Sequence, residues 1–306
     1  MTTTIATRGA HVLPDGRPYR PSKGSHPRSI EPSRVAKFAT RATLFIVLLY
    51  FLFPIYWLIV SATKSTADLV SSHGLWFADK ISLAENVSSL TSYGQGNFWR
   101  WIANSILYAG AAGAIGVLIS VSAGYAISKF KFPGRGAAQV AILGGLLMPV
   151  ALLTVPLYLV FHQLGLTNSM WSVIIPTAVS PFGVFLGRIY ADTVPDELLE
   201  AARIDGAGEV RIFFTIVLRL LAPAMVTIFL FIFVAAWNNF LLPLMMLDLD
   251  EMKPVTVGLY GMMSYFDADK GAVLVGSLMG VLPLIVLFLG LQRFWQSGLA
   301  AGAVKG

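Results

Sequence analysis

The chain contains no cysteine, which excludes disulfides and thiolate metal ligation. Its four histidines, His11, His26, His73 and His162, are scattered and form no ligand cluster. Charge is scarce: 12% of residues are charged against 56% hydrophobic, far from the balance of a water-soluble domain. No GxxxxGK[ST] loop occurs, and none of the nine lysines follows a glycine and precedes Ser or Thr, so this phosphate-cradling motif is absent. The extreme N-terminus has no apolar h-region, so no cleaved signal peptide is expected. Basic clusters interleaved with aromatics are also missing, and the net charge of +6 does not point to nucleic acid.

What the chain has in abundance is long apolar stretches. Runs at 44–60, 105–128, 137–161, 223–246 and 271–292 are each long enough to cross a hydrocarbon slab. A sixth, 171–190, is interrupted by Pro176, Pro181 and Gly183 but carries no charge before Arg188. The expected fold is therefore an all-α integral membrane protein with six transmembrane helices. Of the 22 Lys and Arg residues, seventeen fall at or before Arg41, in the 129–135 loop, in the 188–219 loop and from Arg293 onward. Five fall in the segments between. Because basic flanks resist translocation, both termini are expected to be cytoplasmic.

The expected organisation is a basic, disordered cytoplasmic arm over 1–38, a six-helix domain over 39–295 with a cytoplasmic loop at 191–222, and a cytoplasmic tail at 296–306. The arm holds Pro14, Pro18, Pro21, Pro27 and Pro32. It either enforces orientation only or also touches anionic lipid heads. An ion-coupled secondary transporter of a small solute is the alternative function. It would bury an acidic or basic relay, and no Asp, Glu or Lys lies well inside a run. An enzyme would need a nucleophile, base or metal set at one depth, and none is visible.

The polar interlude EAARIDGAGEVRIFFTIVLRLLAPAM, beginning at Glu200, breaks this pattern. Pro195 suits a first helical position, Asp196 and Glu197 suit the positive end of a helix dipole, and Gly206 suits a left-handed stop. The spacing predicts a short helix over 195–205 and a second start at Glu209. Leu198, Ala201, Ala202 and Asp205 form one stripe, apolar and mostly small. Glu200 either meets a partner or merely pairs with Arg203 one turn on, a contact of about a few tenths of a kcal/mol.

EAARIDGA, followed by apolar residues and a proline, resembles the cytoplasmic EAA loop of ABC importer permeases. With LMPVALLTVPLYLVFHQLGLTNS, PFGVFLGRIY, AAWNNFLLPL and GLAAGAVKG, the chain resembles, from Thr40 to Gly306, the MalG-like permease subunits of carbohydrate-uptake importers. The resemblance implies a type I ABC importer transmembrane domain whose coupling helix docks in a cleft of a cytoplasmic ATPase. Carried onto this chain, Glu200 would meet a basic residue of the ATPase, Ala201 and Ala202 would permit insertion, and Asp205 with Gly206 would shape the elbow. Arg219 stands where the family usually has Pro, and Gly208 where a stronger cap such as Ser is common. The implied partners are a second, homologous permease, two ATPase copies, an extracytoplasmic sugar-binding protein and the lipid bilayer. ATP and Mg2+ would sit on the ATPase, and this chain would bind no cofactor and carry no catalytic residue.

Several further readings stay open at this level. Asn238 and Asn239 could offer amides to sugar hydroxyls, with Trp237 as a flat apolar face, or bond across helices to Ser277 or Thr154. Tyr260, Tyr265 and Phe266, among the acids of the 248–270 loop, could contact the receptor or rest at the lipid interface. Pro149, Pro156 and Pro283 can bend helices. Gly110, Ala112, Ala114 and Gly116 give small-xxx-small spacing for close contacts. Reporter fusions at Gly306 and within the 129–135 loop are expected to read as cytoplasmic. Alkaline phosphatase activity at both positions would reverse the orientation.

Overall fold

A computed structural model describes residues 34–263 and 269–302. The first 33 positions, most of the expected arm, lie outside the described residues, and Arg34 already begins a helix. The chain divides into two units, Met1–Ile55 and Tyr56–Gly306. The described part of the first unit is the opening stretch of α1 (Arg34–Ala62), whose side chains from Leu44 to Phe53 are exposed and apolar.

The second unit is built around α3 (Phe98–Lys129), about 48 Å of helix at 1.5 Å per residue. Trp101, Ser105, Tyr108, Ala112, Gly116, Ser120 and Gly124 recur at three- and four-residue steps and are all buried. Between them Leu107, Ile115, Leu118 and Ile119 face outward and are equally apolar. A helix apolar on all sides is what a membrane span requires. Around α3 come α2 (Leu83–Ser92), α4 (Arg135–Leu147), α5 (Val150–Gln163), α6 (Trp171–Ala178) and α7 (Pro181–Asp192). Then follow α8 (Asp196–Ile204), α9 (Glu209–Leu220), α10 (Ala222–Trp237), α11 (Leu241–Met246), α12 (Val255–Gly261) and α13 (Lys270–Gly302). No strand occurs among the described residues.

Three helices, α1, α3 and α13, are long and apolar enough to span a membrane, and three bent pairs raise the number to six if each pair is one span. The pair α4 and α5 is bent by 106°, α6 and α7 by 40°, and α9 and α10 by 79°. The run at 137–161 is thus not one straight helix. Proline stands at the start of each second arm: Pro149 before α5, Pro181 opening α7, Pro223 in the first turn of α10. A proline there loses no intrahelical bond, and ahead of Pro149 and Pro181 it also disfavours helical backbone at the preceding residue. Met148 and Ser180 are accordingly extended, and Ser180 Oγ accepts from the Gly183 N–H at 3.1 Å. Pro156 and Pro283 lie inside α5 and α13.

The run at 223–246 is also broken. α10 ends at Trp237, and Asn238 to Phe240 separate it from α11. The sequence expects one helix because every residue but the two asparagines is apolar or small. The amides, as shown below, serve the break itself.

The backbones of α3 and α7 lie in direct contact. A Cβ on Gly124 would overlap the backbone of Gly187 and Arg188, one on Gly187 would reach Ser120 O, and one on Gly183 would reach Ser120 Oγ. Two small pairs four residues apart, Ser120 with Gly124 and Gly183 with Gly187, therefore bring two backbones together. Of the expected small residues, Ala112 is buried and Gly116 fits beneath Ala178 and Ile232, whereas Gly110 has open space at its Cβ position and Ala114 is exposed. Gly124→Ala is expected to cost about 1–3 kcal/mol through overpacking, while Gly110→Ala changes stability little. Thermal unfolding in detergent compares the two.

Candidate functional site

The segment at 191–222 builds an elbow at the C-terminal end of α3. Pro195 is extended and precedes α8, and Asp196 and Glu197 fill its first turn, where carboxylates suit the exposed N–H groups. α8 stops by the device its glycine suggests. Gly206 has φ +80°, the Ala207 N–H donates to Ala202 O at 3.0 Å and the Gly206 N–H to Arg203 O at 3.0 Å. These two bonds form a Schellman stop, which satisfies carbonyls that would otherwise be orphaned.

α8 has two different faces. Leu199 is 1% exposed and sits in the main core with Val194, Ile212 and Val217. Leu198, Glu200, Ala201 and Asp205 are exposed, Ala202 is half-buried, and Ile204 is 86% exposed. Glu200 and Asp205 are thus exposed together with the apolar Leu198 and Ile204, and Val210 and Phe214 on α9 are exposed as well. Leu199 is the anchor that the stripe of small residues does not reveal. Two adjacent leucines necessarily point apart, and that was the available signal.

Arg203 reaches across the elbow, and not back to Glu200. Its Nε donates to Glu209 Oε1 at 2.6 Å and its Nη2 to Oε2 at 3.4 Å. This hydrogen-bonded carboxylate raises the guanidinium pKa above its ordinary value. A raised basic group contributes stability at every pH below its unfolded value and loses it only as pH rises through the folded one. The pair is therefore insensitive to pH across the physiological range on the arginine side. Both side chains are about two-fifths exposed, so the pair is worth roughly 0–1 kcal/mol. It closes the gap left by Gly208, which makes no side-chain cap for α9. Phe213–Val217 then widens into a π turn, the local irregularity that precedes the bend into α10. Arg219 lies in the last turn of α9.

The second set of candidates gathers at the break after α10. Trp237 is buried and stacks on Phe233, with ring centroids 5.8 Å apart and planes 16° apart. Asn238 Nδ2 donates to Val234 O at 2.8 Å, and Asn239 Oδ1 accepts from the Leu242 N–H at 3.4 Å. The two amides thus close one helix and open the next. Neither bonds to Ser277 or Thr154: Ser277 Oγ turns back to Val273 O within its own helix. Asn238 remains exposed and Asn239 half-buried.

Near this break lies the third set. Thr256 Oγ1 donates to Asn239 O at 3.1 Å, and the Tyr260 ring meets Phe240 edge-on at 5.0 Å. Tyr260 is exposed, whereas Tyr265 and Phe266 lie outside the described residues. The described acids of this loop are engaged, and Asp267 lies outside the described residues. Asp248 accepts from Asn168, Asp250 pairs with Lys253 and Glu251 with Arg100. Asp269 accepts from Ser89 and Thr66 and from the Ala272 N–H. α3 holds the loop's backbone as well. Trp101 donates to Asp250 O at 2.7 Å, Asn104 to Glu251 O at 2.8 Å, Tyr108 to Met252 O at 2.9 Å, and Ser105 accepts from the Val255 N–H at 2.8 Å. The elbow and this loop therefore occupy opposite ends of one long helix. The backbone of α13 runs on to Gly302, so most of the expected tail at 296–306 is helical, and the last four residues lie outside the described ones.

Residues 116–299, which carry both the elbow and the break, match the family described as "Binding-protein-dependent transport system inner membrane component". The chain belongs to this family. The permease is 32% identical to the "Arabinooligosaccharides transport system permease protein AraQ" of Halalkalibacterium halodurans, over 83% of this chain and 91% of that protein. It is 30% identical to the "Diacetylchitobiose uptake system permease protein DasC" of Streptomyces coelicolor, over 89% and 98% of the two chains. In fold it matches a chain of the crystal structure of a bacterial ABC transporter that imports the acidic polysaccharide alginate. The TM-score is 0.74 and the identity 22%, covering 86% of this chain and 97% of that one. The permease is thus a multi-pass inner-membrane transport component of a binding-protein-dependent system, and ATP hydrolysis falls to a partner subunit.

At the elbow, Gly206→Val forces a β-branched side chain into left-handed backbone. An expected loss of about 1–2 kcal/mol should fray α8, read as faster hydrogen exchange at Asp205 to Ala207 with α3 unaffected.

Proposed function

We propose that this permease moves sugars or oligosaccharides into the cell by alternating access, paired with a second, homologous permease. In this reading α8 is the coupling helix. Glu200, Ala201, Ala202, Asp205 and Gly206 engage a cleft of the ATPase, two copies of which bind ATP and Mg2+. An extracytoplasmic sugar-binding protein delivers solute at the opposite end of the bundle, near Tyr260.

The observation that carries the coupling role is the geometry of α8. A helix of nine residues is pinned by one buried leucine, stopped by a glycine and left open along its Glu200 side. An isolated helix this short has little stability of its own, so a surface that keeps it in one place and presents it outward serves contact better than it serves the core. The sugar class rests on the relatives, whose printed names specify arabinooligosaccharides and diacetylchitobiose. The inward placement of α8 and both termini rests on the basic residues. Lys129, Lys131, Arg135, Arg203, Arg211 and Arg219 belong to the same end of the chain's long helix or to the loop beside it. The break at Asn238 and Asn239 supplies irregular backbone and an exposed amide in an otherwise apolar run, which is tolerated in a membrane where protein or a cavity lies beside it. That supports these residues as part of the solute path. Trp237 supports the path from behind, as a packed wall.

Glu200→Ala is expected to leave the complex assembled and to lower ATP-driven uptake by roughly tenfold, the scale of one charge-assisted hydrogen bond. Uptake into vesicles, with co-purification of the ATPase as the assembly control, checks this. Unchanged uptake would remove Glu200 from the coupling contact.

A further inference from the structure

The elbow is fastened to α3 at its other end by a lysine that lies outside the motif at Glu200. Lys129, the last residue of α3, has a side chain only 9% exposed. Its Nζ donates to Val194 O at 2.6 Å and to Asp196 Oδ1 at 2.7 Å. Val194 O belongs to the linker before α8, and Asp196 is the first residue of α8. A buried ammonium must keep its acceptors, because losing one leaves charge uncompensated where water does not reach. Asp196, by contrast, is 72% exposed, so the carboxylate acts as a lid over a cation held below it. The same corner carries a second tie, Ser128 Oγ to Asp192 Oδ1 at 2.5 Å. Tyr125, one turn back, packs between Phe130 and Phe213 at centroid distances of 5.5 and 5.6 Å. α3 therefore touches both arms of the elbow, polar contact to α8 and aromatic contact to α9.

From this geometry we infer that Lys129 is a positioning residue that makes α8 and α3 move as one body, so that α3 acts as the rod carrying motion from the elbow to the 250–255 segment. Two features make α3 suited to this. The glycine seam at Gly124 and Gly187 holds the backbones of α3 and α7 in direct contact. At its far end Trp101, Asn104, Ser105 and Tyr108 hold the backbone of 250–255 by the four contacts described above. A displacement of α8 thus reaches that segment through a single continuous helix, without crossing any of the three bends. The inference rests on α8 as the docked helix of the proposed function, and it adds the residue through which that helix pulls.

The test uses the complete complex with its ATPase. Cysteines introduced at Ser122 and Glu197, both exposed in a chain with no native cysteine, take nitroxide labels across the α3 to α8 junction. A second pair joins Ser122 to a surface label on the second permease. With ATP bound and hydrolysis blocked, the wild-type complex should show a changed distance from Ser122 to the second permease and an unchanged Ser122-to-Glu197 distance. Lys129→Met should weaken the junction roughly tenfold, seen as a second, ATP-dependent Ser122-to-Glu197 population, with nucleotide binding by the ATPase retained. Lys129→Arg should restore the single population. A wild-type pattern in Lys129→Met overturns the inference and leaves the coupling role of α8 standing. No ATP-dependent change in the wild-type distance from Ser122 to the second permease overturns both. Should Lys129→Met not accumulate in membranes, Lys129→Gln decides: shorter and uncharged, it cannot hold both Val194 O and Asp196, and an unchanged junction in that variant overturns the inference.

Discussion

The structure depends on backbones being able to touch. In a hydrocarbon solvent there is no hydrophobic gain from bringing two apolar helices together, so packing must come from close contact, and close contact needs side chains that stay out of the way. Ser120, Gly124, Gly183 and Gly187 provide that between α3 and α7. Gly113 and Gly116 do it toward Phe229 and Ile232 of α10. Gly258 lies against the Trp101 ring at the other end. A single helix thereby organises the surrounding pieces, and each piece is free to be short or bent because its position is set by α3.

The same constraint explains how polar groups are distributed. Asn86 donates to Ala62 O and Lys64 O at 3.0 and 2.8 Å, and the buried Lys64 Nζ donates to His73 O at 2.5 Å. Asn238, Asn239 and Ser180 satisfy backbone at helix ends. At Ser180 and at Asn238 to Phe240 a side chain takes up a group the ladder has dropped, which is what burial away from water demands. The elbow follows a different logic. Its polar residues are open, and its fixed points are Leu199, the Gly206 stop and the Lys129 clamp.

Much of this was legible in the sequence. Apolar run lengths mark the spans, proline positions mark the breaks, and Gly206 marks the end of α8 because only its conformation suits the stop. Local rules suffice for these features. What was not legible depends on residues far apart in the chain. Lys129 meets Asp196 only because α7 returns along α3, and Arg203 chooses Glu209 over Glu200 because the chain turns at Gly206. Small-xxx-small spacing at 110–116 has the right chemistry but cannot tell which face of α3 meets a partner, and half of it faces away. The asparagine pair was read as one feature of a continuous helix, whereas each amide satisfies a different helix end.

The bent pairs have a consequence for biogenesis. α4 and α5 are 13 and 14 residues long, about 20 Å each, and so shorter than the hydrocarbon thickness of about 30 Å. Neither could be threaded into the bilayer as an independent unit, and the same holds for α6 and α7. Yet α3 precedes all three bent pairs in the chain, so the ribosome releases the template before the parts that lean on it. Vectorial synthesis thus supplies an order of assembly that the finished fold would not otherwise impose.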